Sequence, residues 1–506
     1  MKGRAVCAAM FKRLIPLALL ALASPALADA PPAPVAKVQT LQQQVEATLA
    51  TAPQGTRFGL LVVDETGKVV VSINPDQRFI PGSNTKMFTT AAAYALLPGV
   101  DQPDVAAGTQ VRLERAKGGV DVILVGRGDA RMSSAPDCKV NCLAQLADAV
   151  AARTKRVHDV IGDDSFWPDQ RWVPGMSWNN IGTDSGTAVS ALNLDANELL
   201  VTVTPAKAGQ APQVTSSSYF SLVNQARTIA PGGKNTLTLE RSVNGTVLRL
   251  YGEIPVDAKP WTERIGIDDP AHFAAWTFKQ MLEARGVRVT GQVRVKHRLP
   301  SEVDWPCGAK PAFEMRCSVV PTGGHAYSTL ADLTPPPLAE DVVTINKASQ
   351  NLHAQVLFRR LGNPSRGSEQ WAADALHKLF EKAGIPRAGF DFSDGSGMST
   401  YNRISPRAAI SLLRWIDTQP WGPAWYNSLP IAGKDGTLRR RFIGTPLEGN
   451  LTAKTGTLNA TNALSGTFTN ASGRRFTFAF FANDVPNGAS ALPVMEAALL
   501  QIAAAN

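Results

Sequence analysis

The chain alternates between stretches with strand-like and helix-like hydrophobic spacing. Gly59 to Asp64 (GLLVVD) and Val69 to Ile73 (VVVSI) are β-rich runs flanking a Glu-Thr-Gly turn, which predicts a β-hairpin. A Pro/Ala-rich lead-in covers 29–42 ahead of it. Pro81 and Gly82 then break the chain before Ser83 to Leu97, whose Ala, Met and Leu content predicts a buried helix. From about 98 to 330, short β-rich runs such as Val120 to Val125 and Thr236 to Leu239 alternate with turns, interrupted by helical stretches near 140–154 and 270–286. Helical spacing returns at 335–362, 368–384 and 405–418. Strand-like segments follow at 450–456, 462–469 and 475–482, then an Ala/Leu-rich helix at 491–504. This order predicts one α/β domain built from 29–97 and 331–506, with 98–330 inserted as one or two β-rich subdomains.

At roughly 150 residues per domain, 506 residues allow two to four domains. With 44% hydrophobic and 18% charged residues, a disordered or fibrous chain is excluded. The N-terminus reads as an export signal over 1–28. Lys2, Arg4, Lys12 and Arg13 form a positive region, Leu14 to Ala23 an apolar core, and Ala26-Leu27-Ala28 a small-x-small cleavage pattern. A retained anchor is the competing reading, and the apolar core is short for one. The expected location is therefore periplasmic, with at most peripheral membrane contact. The net charge is +9; removing 1–28 takes away four basic and no acidic residues, leaving +5. So mild a surplus gives no reason to expect nucleic acid as a partner.

Of five cysteines, Cys7 falls in the signal, and Cys138, Cys142, Cys307 and Cys317 remain. An even number in an exported chain predicts disulfides, and of three possible pairings the local ones, 138–142 and 307–317, are preferred. Zinc ligation is the weaker reading: the spacings are C-x3-C and C-x9-C, without a nearby histidine pair. The six histidines are scattered and form no H-E-x-x-H, so neither a metal nor a cofactor is expected.

Three short motifs carry chemistry. In Ser83-Asn84-Thr85-Lys86 the serine and lysine lie one helical turn apart, on the same face. A helix N-terminus there favours an oxyanion, and burial would neutralise the lysine so that it can take the serine proton. An N-cap serine before an ordinary lysine is the alternative. Ser349-Gln350-Asn351 opens a stretch that reads as a buried helix, and could relay a proton and hold a carbonyl. Ser177-Trp178-Asn179 and Ser242-Val243-Asn244 share its pattern and read as surface turns. Lys454-Thr455-Gly456-Thr457 lies on a strand-like segment, where glycine allows close approach of a ligand and the lysine and threonine suit an anionic group.

In that order, S-x-x-K, S-x-N and K-T-G resemble the penicillin-recognising serine enzymes. The long gap between the first two is similar to the class C low-molecular-mass penicillin-binding proteins, D-alanyl-D-alanine carboxypeptidases and endopeptidases of the bacterial envelope. VGRGDARMSS at 125–134, IGDDSFW at 161–167, SDGSGMSTYNRIS at 393–405, AGKDGTLRRRF at 432–442 and AKTGTLNATNALSG at 453–466 extend the resemblance over most of the chain. It implies a transpeptidase/β-lactamase-like domain, a helix-flanked antiparallel sheet split by a large insertion.

The resemblance also implies roles. Ser83 is the expected nucleophile and Lys86 its base. Ser349 passes a proton to the departing D-alanine, and Asn351 positions it. Lys454 and Thr455 bind the terminal carboxylate, beside Gly456. The backbone N–H groups of Ser83 and Thr457 form the oxyanion hole. Expected partners are peptidoglycan stem peptides and cross-links, with β-lactams as covalent inhibitors. Two departures concern recognition of the peptide side chain. Thr400 stands where relatives often carry Arg, and Asn459 where Gln is common. Asp163 is the expected acidic partner from the insertion; a solvated turn is its other reading. A β-lactamase or esterase on the same fold, and a non-catalytic envelope-binding scaffold, remain as alternative functions.

Overall fold

The computed structural model describes residues 39–306, 328–362 and 367–505. The expected export signal, Cys307 and Cys317 lie outside these. From Leu41 onward the chain forms one compact unit.

Its centre is a five-stranded antiparallel sheet in the order Val69–Ile73, Arg57–Asp64, Arg475–Asn483, Thr461–Thr469, Leu451–Leu458. The ends of the sequence thus meet side by side, with Leu60 opposite Phe480. Both faces of the sheet are covered. On the strand Arg475–Asn483, Phe476, Phe478, Phe480 and Ala482 enter one core, while Ala479 and Phe481 enter another, the two-residue alternation that a pleated strand imposes. The first core is closed by the helices Leu41–Leu49 and Leu492–Ala505. The second is closed by Thr85–Leu96, Leu338–Lys347, Asn351–Arg360, Glu369–Lys382 and Pro406–Asp417. Ser405 caps the last of these through its hydroxyl, and Pro406 occupies the first turn, where no N–H is needed.

A third core belongs to the intervening region. It is built on a mixed sheet in the order Val293–Arg298, Val160–Pro168, Gly119–Val125, Gln110–Ala116, Ala331–Asp332. The helices Leu143–Arg153 and Pro270–Ala284 pack on it. Smaller sheets, among them Glu198–Thr204 with Trp261–Gly266, add to the same core.

Two sequence expectations change. Ala331–Asp332 pairs with Gln110 and Val111, and Leu333 is buried in the insert core, so the insert continues past 330; Leu338 is the first residue back in the main core. A helix for which no element was expected, Leu41–Leu49, begins at the last two residues of the lead-in and runs beyond it, with Val45 and Leu49 buried against the main sheet. Its few apolar positions gave a weak pattern, and packing beside the C-terminal helix supplies the stability that the isolated segment lacks. Cys138 and Cys142 form a disulfide.

Candidate active site

Ser83 sits in a one-turn 3₁₀ segment, Gly82–Asn84, that runs into the helix Thr85–Leu96. Gly82 has φ +50, and a Cβ on it would lie 3.1 Å from the backbone N of Thr457, so the turn rests on the edge strand Leu451–Leu458. Gly456 is pressed as closely: a Cβ there would stand 2.5 Å from Pro81 O. Asn84 ties the two elements together, its Nδ2 donating to Lys454 O at 2.9 Å.

Lys86 is fully buried. Its Nζ lies 2.9 Å from Ser83 Oγ, 2.6 Å from Asn351 Oδ1 and 2.5 Å from the backbone O of Ser396. Burial brings its pKa down to about 7, while the nearby Asp394 carboxylate pulls the other way. Lys454, also fully buried, donates from Nζ to Ser349 Oγ at 2.9 Å and to Thr455 O at 3.1 Å. Burial pushes its pKa well down, and Lys86 beside it adds to the fall. Thr455 Oγ1 lies 2.7 Å from Thr437 Oγ1, which comes from the AGKDGTLRRRF stretch.

Thus five side chains spread over 372 positions of sequence form two hydrogen-bonded groups, Ser83–Lys86–Asn351 and Ser349–Lys454, near enough for the charge of Lys86 to act on Lys454. Thr455 and Gly456 flank it on the strand, and Thr457 is exposed at its end. Asn459 lies one residue past that strand, exposed in the turn toward Thr461.

Asp163 does not join this set. It is buried in a central strand of the insert sheet and spent on Lys296 Nζ (3.0 Å), Arg112 Nη2 (3.5 Å) and Ser165. A buried carboxylate needs such partners, and those within reach belong to its own sheet.

Several contributors carry little signal in the sequence. The Ser396 carbonyl is held by a loop wound around buried Asp394, which accepts from Ser396 Oγ, Gly397 N, Met398 N, Ser399 N and Asn402 Nδ2. The D-G-S-G stretch was the one clue to it. Ser185 O, from the insert, accepts from Asn351 Nδ2 at 3.0 Å. Among the described residues one cluster has metal-ligand composition, Asp121, His158 and Asp159. It lies in the insert, and its carboxylates are taken up by Asp159 N, Gln292 N and Arg294.

An acceptor-lined lysine beside a serine, with a second lysine–serine pair facing it, can activate a hydroxyl for attack and return a proton to a leaving group. The chain is also similar to known proteins. The chain is 33% identical over 475 residues to a D-alanyl-D-alanine carboxypeptidase of Actinomadura sp. (strain R39), covering 90% of this chain and 82% of that one. It is 24% identical over 455 residues to the D-alanyl-D-alanine carboxypeptidase DacB of Haemophilus influenzae, covering 86% and 87%. Its fold matches the crystal structure of penicillin binding protein 4 (dacB) from Haemophilus influenzae with a TM-score of 0.71 at 21% identity, covering 91% and 97%. The D-Ala-D-Ala carboxypeptidase 3 (S13) family model matches residues 41–303 and 319–506, and the chain is a serine peptidase belonging to that family.

Proposed function

We propose that the protein cleaves D-alanyl-D-alanine bonds of peptidoglycan stem peptides, and the related bonds of cross-links, through an acyl-enzyme on Ser83. The arrangement around Lys86 Nζ carries this reading. Two of its neighbours, Asn351 Oδ1 and Ser396 O, can only accept. A neutral amine has two N–H groups and one lone pair. Its N–H groups go to those acceptors, and the lone pair falls to Ser83 Oγ, the one neighbour able to give a proton.

Ser83 then attacks the carbonyl of the penultimate D-alanine, and Lys86 takes its proton. The oxyanion meets the backbone N–H groups of Ser83 and Thr457, which the close packing of Gly82 on the strand supports. Ser349, held by Lys454, passes a proton to the departing D-alanine nitrogen. Thr455 and Thr437 offer hydroxyls to the terminal carboxylate, and its negative charge favours the protonated form of Lys454. Water completes hydrolysis. β-Lactams acylate the same serine. The N-terminal export pattern and the Cys138–Cys142 disulfide support action in the periplasm.

Mass spectrometry of muropeptides before and after incubation tests the reaction. Loss of one D-alanine marks carboxypeptidase action, and splitting of dimers marks endopeptidase action. No change in either would overturn the proposal. Rapid release of hydrolysed β-lactam would move the assignment to a β-lactamase.

A further inference from the structure

The reacting side chains all belong to the main sheet, its helices and the turns that lead into them, yet both fixed acceptors of Lys86 are gripped from the insert. Asn351 Nδ2 donates to Ser185 O at 3.0 Å, which turns the amide so that Oδ1 faces Lys86. Next to it, Gln350 Nε2 donates to Glu198 Oε1 at 2.9 Å. The same Gln350 accepts from Leu352 N at 2.8 Å, capping the helix that Asn351 begins. Leu352 and Val356 of that helix are buried with Trp167, Val189 and Ala191 of the insert. The second acceptor is held likewise. Ser399 Oγ donates to Pro174 O at 2.5 Å, and Thr400 N and Oγ1 donate to Gly175 O at 3.0 and 2.8 Å. These contacts anchor the loop that carries Ser396 O.

We propose that the inserted region positions the base. Glu198, through Gln350, and the segment 174–187, through Asn351 and the 395–400 loop, hold Asn351 Oδ1 and Ser396 O where the two N–H groups of neutral Lys86 must point. The lone pair is then left on Ser83. Glu198 touches no reacting atom; it is a positioning residue, and so is Thr400. The inference rests on the reading of Lys86 as the base. Glu198 suits the task because its side chain is 8% exposed and its other oxygen is 3.4 Å from Arg264, so it is steadied from both sides. Without that carboxylate, the Gln350 amide loses the partner that ties the start of the helix to the insert. A small rotation there misdirects the amine, and misalignment of reacting groups is expensive in rate.

Saturation kinetics with a fluorescent penicillin separate its dissociation constant from the acylation rate constant. Full-length wild type, Glu198→Ala, Glu198→Gln and Thr400→Val are compared, with thermal melts alongside. Glu198→Ala is expected to slow acylation about tenfold, and Thr400→Val severalfold, with the dissociation constant within about twofold of wild type. Glu198→Gln keeps an acceptor for Gln350 and recovers most of the rate. A wild-type rate in Glu198→Ala, an equal loss in Glu198→Gln, or a loss confined to binding would overturn the proposal. Should Glu198→Ala fail to fold, Thr400→Val decides, and an unchanged acylation rate there sinks it. A wild type that penicillin does not acylate would instead remove the reading of Ser83 and Lys86.

Discussion

Lys454 Nζ donates to Ser349 Oγ across 2.9 Å, joining residues 105 positions apart. The pair mirrors Lys86 and Ser83, also 2.9 Å apart. Two buried amines in one site cannot both carry charge cheaply, and Lys86 adds to the fall in proton affinity that burial imposes on Lys454. A site of two serines and two lysines, with at most one lysine charged, can take a proton at one end and deliver one at the other.

Replacement of the proposed nucleophile is the simplest check. Wild-type protein incubated with penicillin is expected to gain the mass of one inhibitor, and Ser83→Ala none. Undiminished labelling of the alanine variant would exclude Ser83.

The buried state of Lys86 sets a pH dependence. As the proposed base, Lys86 works when neutral, so acylation should rise with pH through about 7 and level off above. Stability follows in sign. The folded pKa lies below the unfolded value, so between about 7 and the ordinary lysine range the unfolded chain binds the extra proton. Folding is thus favoured as pH rises through that window. The melting temperature of wild type relative to Lys86→Met should accordingly climb between pH 7 and 10. A difference flat with pH would contradict a neutral Lys86.

Gly82→Ala probes the contact between turn and strand. Its φ of +50 disfavours a side chain, and the new Cβ would stand 3.1 Å from Thr457 N. The left-handed conformation alone costs about 1 kcal/mol. Displacement of Thr457 should also slow acylation more than it weakens binding, measured as the rate constant against the dissociation constant for penicillin. Equal effects on both would argue against Thr457 N–H as an oxyanion donor.

Thr455→Ala tests carboxylate recognition. Losing the hydroxyl paired with Thr437 should raise KM for peptides ending in a free carboxylate, with little change for esters that lack one. Equal losses on both substrate types would place Thr455 outside that role.

How far the sequence reaches depends on the kind of interaction. Strands 57–64 and 475–483 were readable because each is buried on both faces and rich in Val, Leu and Phe, so local pattern and final environment agree. Ser83, Lys86 and Lys454 could be picked out as candidates because their functional groups sit in side chains within short motifs. Where Asp163 comes to lie was not readable for the converse reason: an acidic residue in a family-like stretch says nothing of which cations lie across its sheet, and Lys296 and Arg112 pair with it.

Residue identities and most elements were therefore settled by the chain itself, since propensity and hydrophobic period are local properties. Which groups meet was decided by tertiary structure alone. Ser185 O, Ser396 O and Gly175 O are backbone carbonyls, present at every position, and only the packing of insert against sheet selects these few to orient Lys86 and its neighbours.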